Sequence, residues 1–333
     1  MLFYNSALAS PAHSQSSDEL PQDLTEIGLK NLLNFDLEVT LPGRKKEKLS
    51  NAASAAFVLT SDDIRRSGAR HITDALRLIP GVNVAQAASN KWAVSIRGFN
   101  QIFSNQLLVL LDGVSIFSPT TNGVYWESNE FVLEDIDRIE VIRGPGATLW
   151  GGNALNGVIN IITKHARDTE GTLVSAGGGT HERHFLSVRQ GEQLSEDTYA
   201  RVFLSNNRRT QNEYASGGNA EDDWESFTTG VRIDSQIDDQ HSIRFTSDIQ
   251  SQKDTLVPTT PILTPPFSTQ DEYRDNTEWF GVRSQLQHEY KMSDDSALET
   301  ILSYSRKERK STLVDFHYDQ LNLDSQVYFE PFT

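Results

Sequence analysis

Residues 138–164 read RIEVIRGPGATLWGGNALNGVINIITK and join two apolar segments through a glycine-rich turn. Valine and isoleucine dominate residues 139–142 and 158–162, as is typical of β-strands. Glycine tolerates a positive φ or the close approach of another surface, which side chains would block. The glycines in and near this run are Gly113, Gly144, Gly146, Gly151, Gly152 and Gly157. A plain hairpin needs fewer, so the sequence predicts two strands around a tightly folded loop.

The hydrophobic content is modest, at 37% of 333 residues. No segment approaches the roughly 20 apolar residues that a membrane-spanning helix requires. Strands of a transmembrane barrel alternate lipid-facing and lumen-facing residues, so they escape this test. The composition therefore argues against a helical membrane protein and does not exclude a membrane barrel.

The charge and the cysteine content exclude several classes of function. The formal net charge is −16, whereas a general nucleic-acid binder needs basic patches, so we expect no nucleic-acid partner. The absence of cysteine removes disulfides, thiolate metal sites and cysteine nucleophiles together. No motif assembles a nucleophile, a base and an orienting group, so we expect no catalytic residues and no enzyme activity.

Two motifs that suggest a bound ligand can be set aside. The glycine-rich run lacks the Gly-Lys-Ser/Thr ending of a phosphate loop and leads into a strand rather than a helix. His181, Glu182 and His184 suggest a metal site, but in a strand the two histidines point to opposite faces. We interpret them as periplasmic or rim residues and expect neither a cofactor nor a metal.

The chain divides into four segments. Residues 1–16 are either a signal-peptide remnant, because Ala7–Ala9 has the small-x-small pattern of a cleavage site, or a disordered N-terminus. Residues 17–50 form a polar arm, and residues 51–165 mix helix and strand patterns in one compact domain. Residues 166–333 carry a strand pattern throughout.

Helix signals are confined to the mixed domain. Ser61 is the expected N-cap of a first helix that Gly68 ends. Thr73 opens a second helix, which extends to Ile79 and which Pro80 stops. The rest of the domain is predicted to be strands.

Apolar and polar residues alternate after residue 166, for example through residues 227–237 and 280–290. This period predicts antiparallel strands with one apolar face. The joints are alternately short, as at residues 238–240, and long, as at residues 211–223. Such joints suit an outer-membrane barrel, and the segment has room for about seven or eight strands.

Five blocks occur in order: Ser61–Gly68, Asp74–Val82, Ser95–Phe99, Leu107–Gly113 and the glycine-rich run. Together they resemble the plug domain of TonB-dependent outer-membrane receptors. The resemblance implies an α+β plug domain followed by antiparallel transmembrane β-barrel strands. A plugged barrel of about 22 strands needs over about 200 residues in its strands alone, so we expect an incomplete barrel in this chain, as in a fragment.

The resemblance also implies a function, which is the active uptake of a scarce bulky solute such as an iron-siderophore or cobalamin. The plug would gate the barrel lumen in the Gram-negative outer membrane, with the plug side and N-terminus periplasmic. The implied partners are a TonB-type periplasmic energy transducer, outer-membrane lipid and a small-molecule ligand such as a metal chelate. The alternative is a small β-barrel adhesin or structural outer-membrane protein with a soluble periplasmic module.

Residues 36–41 resemble a TonB box, the segment that such receptors offer to the energy transducer. Main-chain hydrogen bonds of an added strand would supply affinity, and alternate side chains would supply fit. An ordinary linker strand is the alternative. The residues expected to bind the transducer are Asp36, Leu37, Glu38, Val39 and Thr40.

Arg97 and Arg143 are expected inside apolar strands, where an unpaired guanidinium would be costly. The resemblance implies that they lock the plug by facing glutamates of the barrel wall. Pairing inside the plug with Glu140 or Asp112 is an equally open alternative.

Loops near residues 100–105 and 118–126 resemble the apical loops of such plugs. Their aromatic residues would add contact surface for a ligand. The candidate ligand-contacting residues are Phe99, Asn100, Phe103, Phe117, Tyr125 and Trp126.

Overall fold

The structure is a computed structural model. It describes residues 38–39, 47–48, 55–144, 150–214, 217–257, 259–261, 265, 270–272, 274–293 and 296–329. The expectations for residues 1–16 lie outside the described residues. In the N-terminal arm, β1 (Glu38–Val39) pairs antiparallel with β2 (Glu47–Lys48).

A five-stranded sheet forms the centre of the mixed portion. Its strands lie in the order β3-β8-β9-β6-β7; β6 and β9 run parallel and the other neighbours are antiparallel. β4 and β5 form a separate hairpin. The elements are β3 (Ala55–Thr60), α1 (Ser61–Ser67), α2 (Ile72–Leu76), β4 (Val82–Ala88), β5 (Lys91–Ile96), β6 (Leu107–Leu111), β7 (Val114–Ser115), the 3-10 turns η1 (Trp126–Ser128) and η2 (Leu133–Asp135), β8 (Ile136–Arg143), β9 (Gly157–Thr163) and η3 (Ala166–Thr169).

The predicted strands of the opening sequence are β8 and β9, two of the three interior strands of this sheet. Their apolar side chains are fully buried, with Ile139, Val141, Ile159 and Ile161 at 0% exposure. Each such side chain contributes roughly 1.5–3 kcal/mol relative to an exposed one. α2 packs its buried residues into the same core.

The helix boundaries differ slightly from the sequence prediction. Thr60, rather than Ser61, is the N-cap of α1, because its hydroxyl and the Asp63 carboxylate accept each other's main-chain N–H. Gly68 ends α1 with a φ of +73°. α2 ends at Leu76, since the residues that follow continue only as turns. Among the described residues, no helix is long and apolar enough to cross a membrane.

The glycines of the loop meet two different requirements. Gly144 and Gly151 have φ values of +127° and +87°, which L side chains rarely adopt. Gly157 instead lies against its neighbours: a Cβ there would be 2.5 Å from the Ile142 carbonyl oxygen and 2.8 Å from Ile96. Gly146 lies outside the described residues.

An antiparallel sheet of eight strands follows. Each strand pairs with its neighbour along the chain, and in the described part β10 and β19 are unpaired outer edges, so the sheet is open. The strands are β10 (Gly171–Gly177), β11 (Glu182–Ser195), β12 (Thr198–Arg209), β13 (Trp224–Gln236), β14 (His241–Leu256), β17 (Asp275–Ser293), β18 (Ser296–Ser311) and β19 (Phe316–Phe329), with a small ladder of β15 (Thr259–Pro261) and β16 (Gln270–Glu272) between β14 and β17.

The joints of this sheet define its two ends. Residues 210–223 and 257–274 connect strands at one end, which we call the long-joint end. Residues 196–197 and 237–240 connect strands at the opposite, short-joint end. Both long joints thus lie at one end, as in outer-membrane barrels, and that end also carries four-residue joints at residues 178–181 and 312–315.

The two faces of the eight-stranded sheet have the opposite polarity to those of a sheet in a water-soluble protein: the exposed face is apolar and the buried face is polar. In β17, Phe280 and Leu286 are 43% and 42% exposed, whereas Gln285 and Gln287 are buried. Large apolar residues exposed on the sheet strands are Val174, Leu186, Val188, Leu194, Val202, Leu204, Phe227, Ile249, Phe280, Leu286, Leu302, Tyr304, Leu321, Leu323, Val327 and Phe329. Buried polar residues on the same strands are Ser187, Arg189, Arg201, Ser205, Arg209, Ser226, Thr228, Arg232, Asp234, Gln250, Gln252, Asp254, Asp275, Thr277, Gln285, Gln287, Ser303 and Lys307.

Gly157→Ala is predicted to destabilise the mixed portion, because the new methyl group overpacks the β8–β9 contact. We expect a loss of roughly 1–3 kcal/mol in the free energy of unfolding, measured by denaturant titration of the detergent-solubilised chain. Gly152→Ala is the matched control, since a Cβ there meets nothing within 4 Å. Equal unfolding midpoints for the two variants would contradict the close approach at Gly157.

Candidate functional site

The candidate site is the interface between the mixed portion and the polar inner face of the eight-stranded sheet. Asp135, in η2, carries one group of contacts across it. Its Oδ1 is 2.5 Å from Nη1 of Arg189 in β11, and its Oδ2 is 3.5 Å from Nε of Arg201 in β12. Arg201 also donates to the main-chain oxygen of Lys164 at 2.5 Å. All three charged side chains are buried, so they depend on one another.

A second group lies at the short-joint end, where the chain passes from β9 into the sheet. Arg232 and Asp234 of β13 form a two-pronged ion pair at 2.6 and 2.9 Å. Arg232 also donates to the Thr163 hydroxyl at 2.6 Å, and Asp234 accepts the main-chain N–H of Ala166 at 2.8 Å. Asp112 accepts both the N–H and the hydroxyl of Thr163. These bonds hold the C-terminal end of β9 against the eight-stranded sheet.

A third group lies at the long-joint end. Lys91, at the start of β5, donates to Glu127 of η1 at 2.5 Å and lies 3.5 Å from Asp254 of β14. Burial disfavours the charged amine, but the Glu127 and Asp254 carboxylates outweigh this effect and raise the pKa of Lys91. The ammonium group therefore stays charged and bridges the interface.

His71, just before α2, is the centre of a fourth group. Its Nε2 lies 3.3 Å from Glu182 of β11, and its Nδ1 lies 3.6 Å from Glu130. Glu182 also accepts from Arg209 of β12, which donates in turn to the Ser89 carbonyl at 3.2 Å. Burial opposes protonation of the imidazole, yet Glu130 and Glu182 raise the pKa of His71.

Three further side chains of the sheet, two charged and one neutral, donate hydrogen bonds to oxygens of the mixed portion. Lys307 of β18 donates to the Ser128 carbonyl and hydroxyl and to the Asn129 amide oxygen, at 2.7–3.0 Å. Arg283 of β17 donates to the same Asn129 oxygen at 3.1 Å, and Gln285 donates to the Asp112 carbonyl at 3.0 Å. The sheet therefore holds the mixed portion through directed polar contacts along its height.

Arg97 and Arg143 contact main-chain oxygens in the described residues. Arg97 donates to the Arg143 carbonyl at 3.3 Å, and Arg143 donates to the Pro80 carbonyl at 3.2 Å. Of the acids considered as alternatives within the plug, Asp112 binds Thr163 and Glu140 binds Arg138. The locking role of the two arginines stays a prediction.

The candidate ligand-contacting residues separate into two sets. Phe99 is 71% exposed, Asn100 is also exposed, and Phe117 is half-buried. Phe103 packs edge-on against Tyr125 at 4.9 Å. Tyr125 and Trp126 are buried, Tyr125 against Trp279 and Trp126 in the apolar core, and the ligand-contacting role of the six residues stays a prediction.

Only part of the expected TonB box falls among the described residues. Glu38 and Val39 form β1 and pair with Lys48 and Glu47 of β2. Asp36, Leu37 and Thr40 lie outside the described residues. The described residues contain no cluster of three or more acidic or histidine side chains that could hold a metal ion.

Sequence reasoning missed the charged side chains that join the two parts. Glu182, at the start of β11, binds both His71 and Arg209. The available signal was charge at inward positions of alternating strands, as at Arg201 and Arg232, where the neighbouring positions are apolar. Their partners in the mixed portion could not be paired without the fold.

The family model of the TonB-dependent receptor plug domain matches residues 48–158. Vitamin B12 transporter BtuB of Vibrio vulnificus (strain CMCP6) is 37% identical over 159 residues, which are 46% of this chain and 25% of that protein. BtuB of Vibrio cholerae serotype O1 (strain M66-2) is 34% identical over 168 residues, 50% of this chain and 27% of that protein. The chain thus spans about a quarter of the length of these curated relatives.

Solved structures show the same fold at low sequence identity. The ferric yersiniabactin uptake receptor FyuA from Yersinia pestis has a TM-score of 0.67 and 17% identity, covering 84% of this chain and 46% of that chain. The ferric-catecholate import receptor Fiu from E. coli K12 has a TM-score of 0.62 and 16% identity, covering 84% and 45%.

An α+β domain on the polar face of long antiparallel strands is the architecture of a plugged barrel. The matches to the plug domain, to BtuB and to receptor structures specify which kind. Residues 48–158 match the TonB-dependent receptor plug domain, and the fold of the chain is that of the solved receptors, of which it covers about half. From here on, the mixed portion is called the plug.

Asp135→Asn is predicted to weaken the seating of the plug, because it leaves Arg189 and Arg201 buried without their carboxylate. We expect a loss of about 3–5 kcal/mol in the free energy of unfolding, measured by guanidinium titration in detergent micelles. Glu278→Gln is the control, since Glu278 and Lys253 form an exposed pair on the sheet and its loss has little effect. An unchanged midpoint for Asp135→Asn would refute this role of Asp135.

Proposed function

We propose that this chain forms the plug and the first part of the barrel of an outer-membrane receptor for the active uptake of a scarce, bulky solute. The observation that carries the proposal is the inverted polarity of the eight-stranded sheet. Its outer face is apolar, which suits contact with outer-membrane lipid, and its polar inner face is covered by the plug. The plug would then close the lumen until it is moved.

A small closed barrel with a separate soluble module is less well supported. Closure would require β10 to pair with β19, whereas these strands are the outer edges of the described sheet. The plug also contacts the inner face through Asp135 and Lys91, rather than lying apart from the strands. A narrow eight-stranded barrel has an interior filled by its own side chains and has no room for a plug.

The proposed solute is a metal chelate of the size of cobalamin or a ferric siderophore. Support comes from the relatives named as vitamin B12 transporters and from structural neighbours named as siderophore receptors. Phe99, Asn100 and Phe103 are the proposed plug contacts, since an exposed aromatic side chain offers apolar contact area to a bulky ligand. Arg97 and Arg143 are proposed to face carboxylates of the barrel wall.

The proposed partner is a TonB-type periplasmic energy transducer, which would add a strand to residues 36–41. Affinity would come from main-chain hydrogen bonds, and the side chains of Leu37 and Val39 would set the register. The N-terminus and the short-joint end would then face the periplasm. In the described residues, one edge of β1 is paired with β2. A transducer strand that binds this edge would take the place of β2.

Val39→Pro tests this function most directly. Proline lacks the N–H that an added strand requires, so the variant should lose binding to the C-terminal domain of a TonB-type transducer. The measurement is pull-down of the full chain from outer-membrane fractions by that domain. Leu29→Pro, in the same arm but outside the box, is the control and should bind normally. Equal binding by both variants would refute the TonB-box assignment.

A further inference from the structure

His71 is a buried imidazole between two carboxylates that lie on opposite sides of the plug–sheet interface. Glu182 belongs to the sheet and Glu130 to the plug, at 3.3 and 3.6 Å from the two ring nitrogens. The His71 side chain is only 4% exposed. A neutral imidazole can donate one hydrogen bond, from Nε2 to Glu182, whereas the imidazolium also turns a charged N–H toward Glu130 at an ion-pair distance. The geometry therefore favours the protonated ring.

The charges around His71 lead to the same conclusion. Glu130 and Glu182 carry two negative charges, and Arg209 carries one positive charge next to Glu182. The protonated imidazole makes this cluster neutral, while the uncharged ring leaves one buried negative charge without compensation. An unpaired buried charge is strongly unfavourable.

The remaining neighbours of His71 add no net charge. Trp92 of β5 and Trp224 of β13 place their rings 5.9 and 5.6 Å from the imidazole and exclude water from it. Asp74 of α2 accepts the main-chain N–H of His71 and is paired on its solvent side with Arg77 at 3.8 Å. The protonation of His71 is thus set mainly by Glu130, Glu182 and Arg209.

The same cluster holds the tip of the β4–β5 hairpin. Arg209 links Glu182 to the Ser89 carbonyl, and Asp222 accepts the Ser89 N–H at 2.7 Å. Ser89 and Asn90 are completely buried, although they form the turn of a hairpin. A change in the charge of the His71 cluster therefore acts on the seating of this tip.

We propose that His71 is a proton-operated latch: the protonated ring fastens α2 and the β4–β5 hairpin to the long-joint end of the sheet, and loss of its proton loosens them. The latch goes beyond the proposed uptake function. It can be measured without solute or transducer, so its failure and the failure of the uptake proposal are distinguishable.

The direction of the pH dependence follows from linkage. Burial lowers the pKa of His71, but the two carboxylates more than compensate, so its pKa in the folded chain exceeds the value of about 6.5 for an unfolded histidine. The stabilisation is complete below the unfolded value and is lost as the pH rises through the folded value. The hairpin is therefore firmly seated in mild acid and loosened in alkali.

Thiol labelling measures this seating, because the chain has no cysteine of its own. Single cysteines replace buried Asn90 and, as a reference, exposed Ala87 on the same hairpin. The maleimide labelling rate of Asn90→Cys is divided by that of Ala87→Cys in the full chain in detergent micelles, from about pH 6 to about pH 9.5, a range that brackets histidine titration. Each ratio is compared with the ratio in a His71→Gln background.

The native chain should show a labelling ratio that rises several-fold with pH, by at most about tenfold per pH unit between the unfolded and folded pKa of His71. The His71→Gln background should show no such rise. Glu130→Gln leaves the cluster neutral with an uncharged ring, so it should move the rise to lower pH, which a purely structural role of His71 would not do. His317→Gln, exposed on β19, should leave the rise unchanged.

Three results would overturn the latch: a flat ratio in the native chain, the same rise in His71→Gln, or no displacement of the rise in Glu130→Gln. If His71→Gln does not fold, the displacement in Glu130→Gln decides the question alone, since that variant keeps the imidazole.

Discussion

Buried charge on the inner face of the eight-stranded sheet is the constraint on which the rest of the structure depends. Arg189 and Arg201 project from strands whose outer faces are apolar, and the plug that covers them excludes water, so each needs a partner there. Asp135 of the plug supplies a carboxylate to both, whereas Arg232 is paired with Asp234 of its own strand. The plug therefore has to match the charges on the inner face of the sheet as well as its shape.

The plug has an interior of the opposite kind. Its own core is apolar, with α2 and the interior strands β8 and β9 packed around residues such as Ile139 and Ile159. Water that enters the plug–wall interface can solvate the groups exposed there, but water cannot compensate for a disrupted apolar core. The polar contacts between the plug and the sheet are thus expected to separate in water more readily than the apolar core of the plug.

The sequence predicted the parts of the fold that depend on local pattern. The strand–glycine–strand run became β8 and β9, and the period-two alternation became antiparallel strands whose two long joints lie at the same end. The site was less predictable because its contacts join residues far apart in sequence: His71 and Glu182 are separated by more than a hundred positions. The burial of Tyr125 and Trp126 could not be predicted for a similar reason, since the sequence of a loop does not show what packs against its aromatic residues.

The orientation of the sheet, with its apolar face toward lipid and its polar face toward the plug, is the central claim. Nitroxide labels at single cysteines along residues 279–287, in the chain reconstituted into lipid vesicles, measure this through collision with oxygen, which concentrates in lipid. Oxygen accessibility should alternate with a period of two, high at Phe280 and Leu286 and low at Gln285 and Gln287. Uniform accessibility along the strand, or the opposite phase, would contradict the account.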